Sequence, residues 1–93
     1  MSWYVYIVRC RDGSLYTGTS TDVTRRVETH NSGKGAKYTR SRLPVTLVYQ
    51  EVCPDKSAAL RREIAIKRLT KVQKESLFSN FTPRDHTPGK ESP

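Results

Sequence analysis

Residues 3–19 read W-Y-V-Y-I-V-R-C-R-D-G-S-L-Y-T-G-T, and the reading of this stretch decides the fold. Trp3 to Cys10 is rich in aromatic and β-branched residues, which suit a pleated, half-buried strand. Asp12-Gly13 ends that run, and Leu15 to Thr19 returns as the second strand of a hairpin. Loop length then sets which tyrosines share a face. A two-residue Asp12-Gly13 turn would set Tyr16 against Arg9 and turn it away from Tyr6. A three-residue loop, Arg11-Asp12-Gly13 with a left-handed Gly13, sets Tyr16 against Val8 and brings Tyr6 and Tyr16 to one face. If both tyrosines serve one site, the bulged loop is required.

Downstream, Ser20-Thr21-Asp22 offers caps for a helix through about Asn31, ended by Ser32-Gly33. On it Val23, Val27 and His30 share one stripe, with Arg26 on its shoulder. Gly33 to Arg42 (G-K-G-A-K-Y-T-R-S-R) reads as a connection too polar for core. Pro44 to Cys53, with alternating Val45, Leu47 and Tyr49, predicts a third strand that opens on a proline. Asp55 is placed to cap a helix from Lys56 to about Leu69, and a break near Thr70 leads to a short helix from Lys71 to Phe78. The order β-β-α-β-α-α predicts an α/β domain over residues 1–78: a three-stranded, mainly antiparallel sheet flanked by helices. Residues 79–93 hold three prolines and one glycine, which predicts a disordered tail.

The chain has 93 residues, with 17 Lys+Arg against 9 Asp+Glu and a net charge of +8. No second domain fits that length. Beyond Phe78, Arg84 and Lys90 offset Asp85 and Glu91, so the excess belongs to the folded part. Such a balance predicts a polyanionic partner, nucleic acid before membrane. Cys10 and Cys53 have no zinc-binding spacing, which leaves buried free thiols of a reducing, cytoplasmic compartment. No run of apolar residues reaches membrane-spanning length.

Tyr6, Tyr16, Arg26, His30 and Glu63 form the set that carries chemistry. Phosphodiester hydrolysis needs a positioned water, neutralised phosphate oxygens and help for the leaving group. A phenol positions water or takes its proton, although its free pKa near 10 makes it a poor base alone; either tyrosine read singly is also a strand aromatic packing on the sheet. Arg26 and His30 stand at i and i+4, side by side on one helix. Arginine's fork matches two phosphate oxygens, whereas His30 taken alone reads equally as a core-edge histidine. Glu63 turns to the apolar side of its helix, where a carboxylate wants a metal or a partner, and Lys67 at i+4 is such a partner. One carboxylate suits one weakly held divalent ion, Mg²⁺ or Mn²⁺. Lys34, Lys37, Arg40 and Arg42 around Tyr38 suit nucleic-acid backbone contacts with base stacking, or a plain solvated loop.

In order, these residues resemble the GIY-YIG endonuclease superfamily, and most closely its small stand-alone bacterial members, the UPF0213 or YhbQ-like group. Val5-Tyr6-Ile7 looks like the first signature and Tyr16-Thr17-Gly18 like the second; Arg26, His30 and Glu63 follow in the family's order. Val5 stands where the first signature has glycine, and Thr17 where the second has isoleucine. The resemblance covers about Trp3 to Phe78. It implies a nuclease that cuts DNA with Mg²⁺ or a similar ion. Tyr6 would be the general base or water-positioning phenol, and Tyr16 would orient water and phosphate. Arg26 would stabilise the transition state, His30 would support proton transfer, and Glu63 would ligate the metal. The resulting expectation is a cytoplasmic, metal-dependent endonuclease of structured or damaged DNA, in repair. RNA as substrate, or a binding module with little turnover, fits the same charge.

Overall fold

A computed structural model describes residues 2–79; the tail from Asn80 to Pro93 lies outside the described residues. Strand β1 (Trp3–Arg9) and β2 (Leu15–Ser20) form the hairpin, followed by α1 (Val23–Asn31), a four-residue α2 (Lys37–Arg40), β3 (Thr46–Cys53), α3 (Lys56–Lys67) and α4 (Lys71–Phe78). The sheet runs in the order β2-β1-β3, and both pairings are antiparallel.

The hairpin takes the bulged form. Tyr16 pairs with Val8 and Gly18 with Tyr6, the Cys10 amide donates to the Ser14 carbonyl at 2.8 Å, and Gly13 has φ 87°. That left-handed residue is what the three-residue loop needs, and glycine adopts it without a Cβ clash. Local chemistry also sets the helix starts. Asp22 accepts from the Arg25 amide at 3.1 Å and Asp55 from the Ala58 amide at 2.8 Å. Thr70 and Gln73 exchange side-chain and backbone bonds as a capping box.

Two features depart from the sequence reading. Gly33–Arg42 is not an open connection: it winds into α2, and Thr39 is fully buried. Moreover, Val45, Leu47 and Tyr49 do not share a face. The register shifts where Ile7 pairs with Tyr49 but Val8 with Leu47. This bulge leaves Val45 and Leu47 on the α1 side and sends Val48 and Tyr49 to the α3 side.

The sheet therefore separates two cores. Val5, Ile7, Cys53, Ala59 and Ile66 pack under α3 and α4; Tyr6, Val8, Cys10, Val23 and Val45 pack under α1. Both cysteines are buried free thiols. Asn31 closes the α1 side by donating to the Val45 carbonyl at 3.0 Å and accepting from the Val45 amide at 2.7 Å. No helix among the described residues is long and apolar enough to cross a membrane.

Candidate active site

Tyr6 comes from the central strand, but its phenol does not stay there. Its hydrogen-bonded neighbour on β2 is Gly18, and the ring crosses that glycine towards the open edge of the hairpin. A Cβ on Gly18 would lie 2.6 Å from the Tyr6 hydroxyl oxygen. Across this clearing the hydroxyl lies 2.8 Å from His30 Nε2, and both side chains are almost wholly buried. The other ring nitrogen, Nδ1, lies 3.0 Å from the Thr39 hydroxyl oxygen and 3.4 Å from the Ala36 amide nitrogen. Thr39 in turn donates to the Ala36 carbonyl at 2.9 Å. Gly35 allows this closure: a Cβ there would fall 2.2 Å from His30 Nδ1 and 2.8 Å from its Cα. Gly33, with φ 85°, makes the turn that returns the loop to α1.

Tyr16 meets His30 edge-on, with ring centroids 5.4 Å apart. A cleft opens beside these rings, lined by Tyr16, Asp22, Arg25, Arg26, His30 and Lys34 among others. Arg25, which the sequence leaves outside the set, thus shares the cleft with Arg26. Three cations face one acid there, and that acid, Asp22, is already occupied in capping α1.

Burial is the main reason the Tyr6 phenol is held well above its ordinary range, and the nearby Tyr16 adds to it. The positive charge of Arg26 opposes them, and Glu63 raises the phenol further. His30 is shifted below its usual value, first by burial and then by the Arg26 charge. The pair is therefore neutral at neutral pH, and a phenolate requires more positive charge than the residues here supply.

Glu63 approaches from the opposite face. It stands on α3, which packs on β1 and β2, and it pairs with Lys67 at 3.0 Å with its side chain 17% exposed. Its charge reaches Tyr6, so it belongs to the same electrostatic neighbourhood. Among the described residues no three of His, Cys, Asp and Glu cluster to hold a metal. A lone carboxylate instead fits a hard divalent ion that keeps most of its waters.

The basic loop divides. Lys34 faces the cleft, and Lys37 and Arg40 are exposed on α2. Tyr38 and Arg42 are engaged by neighbours although Tyr38 remains exposed: Tyr16 stacks on Tyr38, and Arg42 lies over the Tyr38 ring. Thr39 and Gly35 are the residues that sequence reasoning missed. Their role depends on the loop folding back onto His30, for which the local pattern carries no signal.

The GIY-YIG catalytic domain model matches residues 2–76. The chain belongs to the GIY-YIG family. A UPF0213 protein of Desulfotalea psychrophila is 57% identical over 77 residues, which span 82% of this chain and 70% of that protein. The solution NMR structure of a UPF0213 protein from Bacillus halodurans has 53% identity and a TM-score of 0.54, covering 85% of this chain and 84% of that one. That of an Enterococcus faecalis protein, EF2693, has 41% identity and a TM-score of 0.59, covering 95% and 94%. GIY-YIG membership points to nuclease chemistry on nucleic acid, in a family that generally uses a divalent metal.

Proposed function

We propose that this GIY-YIG domain is a divalent-metal-dependent endonuclease that hydrolyses phosphodiester bonds in structured or damaged DNA. What carries the reading is the convergence of His30, Arg26 and Tyr16 on one basic cleft, with the buried Tyr6 hydroxyl hydrogen-bonded to His30 behind them. Arg26 binds the oxygens of the scissile phosphate, and its charge rises in value as negative charge builds there. Tyr6 positions the attacking water. Thr39 uses its one hydroxyl proton on the Ala36 carbonyl at 2.9 Å, so its oxygen accepts from His30 Nδ1–H at 3.0 Å. Those two contacts outweigh the longer 3.4 Å approach of the Ala36 amide. His30 Nε2 then holds a lone pair towards the Tyr6 hydroxyl and receives its proton as the phenol takes one from water. Tyr16 orients the phosphate. Glu63 holds one ion, Mg²⁺ or Mn²⁺, in competition with Lys67; when bound, the ion supplies the positive charge that favours phenolate and offsets charge on the leaving oxygen. Lys34, Lys37 and Arg40, with Arg25, contact flanking phosphates. Two free buried thiols suit a cytoplasmic setting.

A second reading, a nucleic-acid-binding module with little turnover, draws on the Glu63–Lys67 pair, which occupies the carboxylate a metal would need. Cleavage of labelled duplex, single-stranded, flap and four-way-junction DNA and an RNA hairpin, with Mg²⁺, Mn²⁺ or EDTA, separates the two. The endonuclease predicts metal-dependent cutting of a DNA substrate, abolished by Arg26→Ala and by Glu63→Ala. Tight binding without cutting in any condition would favour the module.

A further inference from the structure

Tyr38 sits among basic residues in the loop after α1, where an aromatic ring would be expected to stack on a base. Its ring is already engaged. Tyr16 stacks on it with centroids 6.1 Å apart and 22° between planes, and the Arg42 guanidinium carbon lies 3.9 Å from its centroid. Arg42 is itself fixed at three points. Its Nη1 donates to the Tyr38 carbonyl at 2.7 Å, its Nε donates to Asp12 at 3.2 Å, and its own carbonyl accepts from the Arg11 amide at 2.9 Å. The hairpin loop and α2 are thus closed upon each other through Tyr38 and Arg42.

Tyr16 needs that closure. Its hydroxyl makes no hydrogen bond among the described residues, unlike the Tyr6 hydroxyl, which is tied to His30. Its ring packs on the α1-side core, and the edge of His30 and the face of Tyr38 set its angle there. With no hydrogen bond to hold its hydroxyl, a half-buried ring loses its angle when the face it stacks on is removed, and a reacting group displaced by about 1 Å can cost about 100-fold in rate.

We infer that Tyr38, clamped by Arg42 and Asp12, is a positioning residue that aims the Tyr16 phenol into the cleft, and not a stacking platform for a nucleic-acid base. The catalytic consequence rests on the endonuclease reading; the mechanical claim does not. The test uses the full chain with 3-fluorotyrosine placed at position 16, together with steady-state cleavage of the best DNA substrate. Tyr38→Ala is expected to shift and broaden the Tyr16 fluorine signal in the free protein and to lower kcat about 10- to 100-fold, with KM within about twofold. Tyr38→Phe, which keeps the ring, is expected to restore both, and Asp12→Asn to produce a smaller change in the same direction. If Tyr38→Ala fails to fold, Tyr38→Leu carries the same two readouts. An unmoved fluorine signal in the non-aromatic variant overturns the inference. So does a KM raised about 10-fold or more at unchanged kcat, which is the signature of a lost base contact. Should the wild-type protein cut nothing, the endonuclease reading fails, and the fluorine signal still decides the positioning claim.

Discussion

Under α3 and α4 the sheet rests on Val5, Ile7, Cys53, Ala59 and Ile66, whereas under α1 its two largest fully buried side chains are Tyr6 and His30. Apart from the buried Thr17, the first half holds its polar groups at the rim as ion pairs, Glu51 with Arg62 at 2.8 Å and Arg9 with Glu75 at 3.4 Å. The second buries its polar groups and satisfies them one by one, through Tyr6, His30, Thr39 and Ala36. Apolar packing tolerates small adjustments, but a buried hydrogen-bond chain does not, because each group left unpaired costs about 1–3 kcal/mol. This explains why both glycines in close contact with side chains, Gly18 and Gly35, lie on the polar side. The apolar core and most of the candidate site accordingly lie on opposite faces of one small sheet, with Glu63 reaching the site from α3.

Substitutions on the two faces should then have separable effects. Ile66→Ala empties a fully buried site on the apolar side and should cost about 2–5 kcal/mol in urea unfolding. The single-turnover cleavage rate of the folded protein should be unchanged; a large fall in that rate would break the separation. Gly18→Ala tests the other face. Its methyl would meet the Tyr6 hydroxyl at 2.6 Å, so stability should fall by about 1–3 kcal/mol and cleavage by about 100-fold. Retained cleavage would show that the Tyr6 position is not critical.

Legibility in the sequence followed the same division between local and tertiary causes. The hairpin register could be read because Asp12-Gly13 and the need to co-orient two tyrosines act within a few residues. The caps at Asp22 and Asp55 are equally local, and the break read near Thr70 proves to be a capping box. By contrast, α2 could not be read, because Lys37–Arg40 has no apolar stripe and its reason lies in Thr39 meeting His30. The β3 bulge was hidden by a run of alternating residues that continues through it. Tyr6, Tyr16, Arg26 and His30 were found as residue types at a spacing, and the structure brings them together. Gly35 escaped, since its function is a close approach to a backbone that is distant until the loop folds.

Two smaller effects sharpen the contrast. His30 is held below its usual value, about 6.5, by burial and by Arg26. As pH falls, the unfolded chain therefore binds the histidine proton before the native one does, so the contribution of this group is full above about pH 6.5 and is lost as pH falls through the folded value. The urea midpoint should drop between about pH 7.5 and pH 5.5 in the wild-type protein, and drop less in His30→Gln. The smallest effect falls on the α3 side. Thr17 is buried, and its hydroxyl has no hydrogen-bond partner among the described residues; Thr17→Val should stabilise the fold by up to about 1 kcal/mol, without altering cleavage. A destabilised variant would mean that the hydroxyl has an unseen partner.

Single-turnover cleavage by Tyr6→Phe tests the central claim most directly, because the substitution keeps the ring and removes only the hydroxyl that faces His30. The endonuclease account predicts a fall of about 100-fold or more in the folded protein, beside a stability loss of about 1–3 kcal/mol from the unpaired His30 Nε2. A rate within about threefold of wild type would contradict it, since no phenol would then be needed to position or activate the water.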